Sequence, residues 1–118
     1  MKKIIVALDE MDYEQAISLA QKLKEAEVIF KINDLLDDRD GPSIIWKIKH
    51  FGDVMADPKF HDIPNTVKNR VKKYVGFKPD FITVHASGGV AMMRAAVENC
   101  EESKILAVTV LTSLFLKP

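Results

Sequence analysis

The chain has 118 residues, enough for one domain (1–118) with a buried core, but about half of the roughly 250 residues typical of a closed eight-stranded α/β barrel. A composition of 47% hydrophobic and 29% charged residues, with five Gly and five Pro, excludes a disordered or fibrous chain. The 17 basic residues balance 17 acidic ones, so no electrostatic footprint for nucleic acid or an anionic membrane surface exists, and any anion site must be local.

In chain order, Lys2-Lys3 precedes an apolar stretch that runs only from Ile4 to Leu8, too short for a signal-peptide core or a membrane span, so no targeting segment is read. Residues 3–8 have the length and composition of a strand, and Asp9 ends it. Residues 13–26 place Ala16, Leu19, Ala20 and Leu23 on one helical face. A second strand over 28–32 ends among Lys31, Asn33 and Asp34, and the following Asp37, Asp38, Arg39 and Asp40 read as a solvated loop. After Gly41-Pro42, the spacing of Ile44, Ile45 and Ile48 is helical.

Residues 53–56 form a third strand, ending at Asp57 and Lys59, and Pro64 opens a helix through Val67, Val71, Tyr74 and Val75. A fourth strand over 81–84 leads to His85; Gly88-Gly89 then precedes a helix over 91–97, and Met92-Met93 reads as core. The single Cys100 cannot form an internal disulfide and lies among Glu98, Glu101 and Glu102, an environment that does not activate a thiol. A reducing, cytoplasmic setting is expected. A fifth strand over 105–111 ends at Thr112 and Ser113.

The order βαβαβαβαβ predicts an α/β fold of five parallel strands with four helices, joined by right-handed crossovers. Polar residues gather at the C-terminal strand ends, where ligand chemistry is built in such sheets. Asp57 and Lys59, two apart, should share one side through the period-two alternation, with the turn at Pro58 holding them together. Asp62 stands just ahead of Ile63-Pro64, where an acidic group suits a helix N-terminus. On spacing alone, an ion pair plus a helix cap is the better reading. Lys31 shifts the balance, because it ends a different strand behind Val28-Ile29-Phe30, where a lone ammonium is costly unless paired or at the mouth. An alternating array of lysines and aspartates could hold a phosphorylated or carboxylated substrate and keep an ammonium charged for donation to a carbanion. His61 and His85 lack metal-ligand spacing and read as satisfied polar residues, so no metal site is predicted.

The segment Asp57-Pro58-Lys59-Phe60-His61-Asp62-Ile63-Pro64-Asn65-Thr66-Val67 closely resembles the signature of the orotidine 5'-monophosphate decarboxylases. Supporting segments follow the family's order: Ile5-Val6-Ala7-Leu8-Asp9, Phe30-Lys31-Ile32, the run from Phe81 to Gly89, and the run from Leu106 to Ser113. Sugar-phosphate synthases of the same superfamily share Asp-x-Lys-x-x-Asp, but the longer run through Thr66 favours the decarboxylases. The resemblance implies a (βα)8 TIM barrel of which this chain is the N-terminal half. It also implies a catalytic tetrad of Lys31, Asp57, Lys59 and Asp62, with Lys59 protonating the pyrimidine carbon that loses carbon dioxide, and no cofactor. Asp9 and Thr66 would contact the ribose side, and Ser113 the pyrimidine. The residues matching Asp62 and Thr66 would reach into a neighbouring subunit's site.

Three further βα units and the phosphate-gripping loop with its arginine would lie outside these 118 residues, while the tail Leu114-Phe115-Leu116-Lys117-Pro118 is apolar where the family turns polar. The expectation is a half-barrel completed by a C-terminal half-barrel chain or by self-association, acting on orotidine monophosphate and yielding uridine monophosphate in pyrimidine biosynthesis. The competing expectation is a nucleotide-binding or assembly module without turnover.

Overall fold

The computed structural model describes residues 4–115; Lys2-Lys3 and the tail residues Leu116, Lys117 and Pro118 lie outside the described residues. Five strands, β1 (Ile5–Ala7), β2 (Ile29–Ile32), β3 (Asp53–Phe60), β4 (Phe81–His85) and β5 (Lys104–Val108), form one sheet in the order β1-β2-β3-β4-β5 with every pair parallel. Four helices alternate with them: α1 (Tyr13–Lys22), α2 (Ile44–Ile48), α3 (Pro64–Val75) and α4 (Val90–Glu98). A spatial order that follows chain order is what a singly wound barrel requires, because each right-handed crossover then lays its helix on the same outer face.

The register separates the two faces. Phe30 pairs with Val54, and Ile32 with Ala56, which pairs in turn with Ile82; these residues are fully buried with Ala16, Ala20, Ile44, Ile45, Ile48, Val67 and Val71 of the helices. Each such side chain contributes about 1.5 to 3 kcal/mol of burial, alanines less. On the other face, Ala7, Lys31, Met55 and Phe81 lie in a row, and that face carries the polar strand ends. Both faces are buried at the centre of β3 and β4, whereas β2 buries only Phe30 and Ile32, and Ile5 of β1 and Leu106 of β5 are exposed at the two edges.

Local chemistry sets the element ends. Asp12 and Gln15 form a reciprocal capping box at the start of α1, with bonds of 2.8 and 2.9 Å. The expected helix over 13–26 breaks at Leu23, continues as a 3-10 turn over Lys24–Ala26, and reverses at Glu27 in the left-handed region, φ 56°. The acidic stretch after β2 is a 3-10 turn, Asp34–Asp37, which exposes its carboxylates and buries Leu35 and Leu36. Pro64 takes the first position of α3, where its missing N–H costs no helical bond. Gly89 precedes α4 with φ 98°, a backbone conformation that favours glycine, and a Cβ on Gly88 would displace chiefly the flexible end of Met92. Among the described residues no helix is long and apolar enough to cross a membrane.

Candidate active site

Asp57 is the centre of the polar face and is only 3% exposed. Parallel register sets Lys31 opposite Met55, so Asp57 projects from the same face one step further along β3. Its Oδ2 lies 2.7 Å from Lys59 Nζ and 3.6 Å from Lys31 Nζ, and Lys31 Nζ is also 3.3 Å from Asp9 Oδ2. Three strands thus deliver a chain of alternating charge, Asp9, Lys31, Asp57 and Lys59. A carboxylate so nearly dry is tolerable because both its oxygens are used: Thr83 Oγ donates to Oδ1 at 2.7 Å while the ammonium groups take Oδ2.

The pairing of Asp57 with Lys59 does not come from strand alternation, as the two-residue spacing suggests. Ala56 pairs with Ile82 and Phe60 with Val84, so β3 uses four steps where β4 uses two, and the extra length bulges out at Asp57, Pro58 and Lys59. Lys59 adopts φ 48°, a region that costs a non-glycine residue on the order of 1 to 2 kcal/mol. Pro58 suits the bulge because it has no N–H to leave unpaired. The Lys59 amide donates to Thr83 Oγ1 at 3.0 Å, and the Asp57 carbonyl accepts from Asn33 Nδ2 at 2.7 Å.

The remaining expected site residues are not brought into this array. Asp62 is exposed; its Oδ1 accepts from the Ile63 amide at 2.7 Å, no ion pair of the described residues includes it, and α3 has no side-chain cap, so the expected helix cap is corrected to a local turn. Thr66 is half-buried in the first turn of α3, and Ser113 is exposed on the 3-10 turn Thr112–Phe115. His61 and His85 face each other with ring centroids 5.3 Å apart. A polar cavity of about 380 Å³ opens beside Lys59, bordered by Asn33, Asp37, His61, Arg70 and His85. Asp9 Oδ1 is buried with no partner among the described residues, which leaves an acceptor aimed at no protein donor. Sequence reasoning passed over Thr83 and Asn33 as site residues. For Thr83 a signal existed, since it is the one polar residue inside Phe81-Ile82-Thr83-Val84 and stands two before His85.

Residues 2–114 match the model of the orotidine 5'-phosphate decarboxylase / HUMPS family. The chain belongs to that family. It is similar to the orotidine 5'-phosphate decarboxylase of Carboxydothermus hydrogenoformans, 39% identical over 122 residues that cover 96% of this chain and 51% of the relative. The Thermobifida fusca enzyme of the same name is 42% identical over 94% of this chain and 48% of its own length. Among solved structures, the orotidine 5'-monophosphate decarboxylase of Methanocaldococcus jannaschii complexed with the inhibitor BMP superposes with a TM-score of 0.82 at 30% identity, covering 92% of this chain and 52% of that one. An uncharacterized conserved protein from Geobacillus kaustophilus gives a TM-score of 0.84 at 33% identity, over 94% of this chain and 56% of that one. The chain spans about half the length of the curated relatives it matches, and its five parallel strands and four helices are half of the family's barrel.

Proposed function

We propose that this chain carries the charged reaction centre for cofactor-independent decarboxylation of orotidine 5'-monophosphate to uridine 5'-monophosphate. The observation that carries the reading is the nearly dry Asp57 carboxylate held between the Lys59 and Lys31 ammonium groups, at 2.7 and 3.6 Å. When the ring–carboxylate bond breaks, carbon dioxide leaves and the electron pair stays on the pyrimidine carbon. The Lys59 ammonium, fixed beforehand, stabilises that carbanion and gives it a proton, and solvent then reprotonates the amine. Asp57 lies beside the departing carboxylate and keeps both lysines in place, and the unpartnered Asp9 Oδ1 is an acceptor suited to a ribose hydroxyl. Thr66 would contact the ribose side and Ser113 the pyrimidine.

Asp62 and Thr66 are available to a neighbouring subunit, which is consistent with their complementing a second copy's site. The phosphate grip is assigned to the later strands of the barrel, so this reading requires a C-terminal half-barrel beside the five strands of this chain. The test is decarboxylation by the completed assembly with Lys59 or with Lys59→Ala. The substitution should cost roughly 3 kcal/mol or more of transition-state stabilisation, a loss of at least about a hundredfold in turnover, with unchanged circular dichroism. Unchanged turnover would refute the role of Lys59, and weak uridine monophosphate binding without turnover in any pairing would favour a binding module instead.

A further inference from the structure

The bulge in β3 leaves the Lys59 amide without its ladder carbonyl, at a residue already in the left-handed region. Thr83 Oγ1 stands in for that carbonyl at 3.0 Å. A hydroxyl that accepts from an N–H must send its own proton elsewhere, and among the described residues its acceptor is Asp57 Oδ1 at 2.7 Å. The polarity of the relay is therefore fixed: Lys59 amide to Thr83 oxygen, Thr83 proton to Asp57. Thr83 is 4% exposed, so water does not readily replace it. The same carboxylate then receives the Lys59 ammonium through Oδ2, which closes a loop from the backbone of Lys59 to its own side chain.

We infer that Thr83 is a positioning residue for the Asp57 and Lys59 pair, its hydroxyl holding the bulged strand end in the one arrangement that sets the Lys59 ammonium against Asp57. Its catalytic consequence rests on the decarboxylase reading; its structural consequence does not. Valine keeps the shape of threonine and removes both bonds, whereas serine keeps the hydroxyl and removes only a methyl group.

Two measurements on Thr83→Val and Thr83→Ser test this separately from the activity. In the 118-residue chain, hydrogen exchange of the Lys59 amide should speed up at least about tenfold in Thr83→Val relative to the β2 amides, and stay near the native rate in Thr83→Ser. In the completed assembly, Thr83→Val should lower kcat by on the order of ten- to a hundredfold with KM little changed, and Thr83→Ser should recover most of it. Native Lys59 exchange in Thr83→Val overturns the inference. So does lost protection in Thr83→Ser, an outcome that remains readable if the valine variant does not fold. Absence of turnover in the unaltered assembly would count against the decarboxylase reading alone, because the exchange measurement still decides the positioning role.

Discussion

Asp57 engages four partners: Thr83 on one carboxylate oxygen, Lys59 and Lys31 on the other, and Asn33 on its carbonyl. The Asn33 bond crosses from the end of β2 to the bulge of β3 and satisfies a carbonyl that the ladder has given up. Asn33→Ala should therefore lower stability by about 1 to 2 kcal/mol, read as a lower urea midpoint at constant slope, since an acceptor of a buried residue loses its donor. An unchanged midpoint would mean that solvent reaches this carbonyl. The charges at Lys31, Asp57 and Lys59 were legible in the sequence because strand ends and a long signature mark them. Thr83 and Asn33 were not singled out: the lone polar position of Thr83 in its strand marks it, but the partners of both exist only once β3 bulges, and no two-residue spacing anticipates a bulge. Asp62, Thr66 and Ser113 were named from the family pattern alone, and among the described residues no ion pair or hydrogen bond joins them to Asp57.

At the level of elements, alternating apolar runs and helical spacings located every strand and helix, and the differences lie at their ends. The third strand was expected over 53–56 and runs to Phe60, because residues after Ala56 rejoin β4 beyond the bulge. The fifth was expected to Leu111 and ends at Val108, where β4 stops offering partners at His85. Asp80 was not foreseen at all, though it ties three elements at the opposite end of the sheet. Its Oδ2 accepts from the Val54 amide at 2.8 Å and from Lys49 Nζ at 2.9 Å, and its carbonyl accepts from Lys104 at 2.9 Å. Val54 is fully buried, so Asp80→Ala strands its amide and should cost about 2 to 3 kcal/mol. Lys49→Ala, which removes only a partly exposed ion pair, should cost no more than about 1 kcal/mol. Equal losses in the two variants, measured by urea unfolding, would show that the ion pair and not the amide bond matters.

For the whole molecule, pH provides a global test, because Tyr74 joins α3 to the sheet and to the loop after β2. Its ring packs edge-on against Phe60 of β3 at 5.0 Å between centroids, and its phenol is pushed up from 10.0 to about 12. Burial is the larger cause, since it disfavours the phenolate; the nearby Asp37 charge adds to it, and Arg70 opposes it. In the unfolded chain the phenol titrates near its ordinary value, so between about 10 and about 12 the unfolded state gives up a proton that the folded state keeps. This contribution to stability is fully present below pH 10, falls as pH rises towards 12, and is flat beyond. Tyr74→Phe removes the titrating group while retaining the ring. The native chain should therefore lose stability relative to Tyr74→Phe across that window, by on the order of 1 kcal/mol after allowance for solvent near the hydroxyl. The two proteins share every other residue, so the difference isolates Tyr74. Urea midpoints at pH 9, 10, 11 and 12 would reveal it, and parallel curves for the two proteins would show that the folded phenol ionises as freely as the unfolded one.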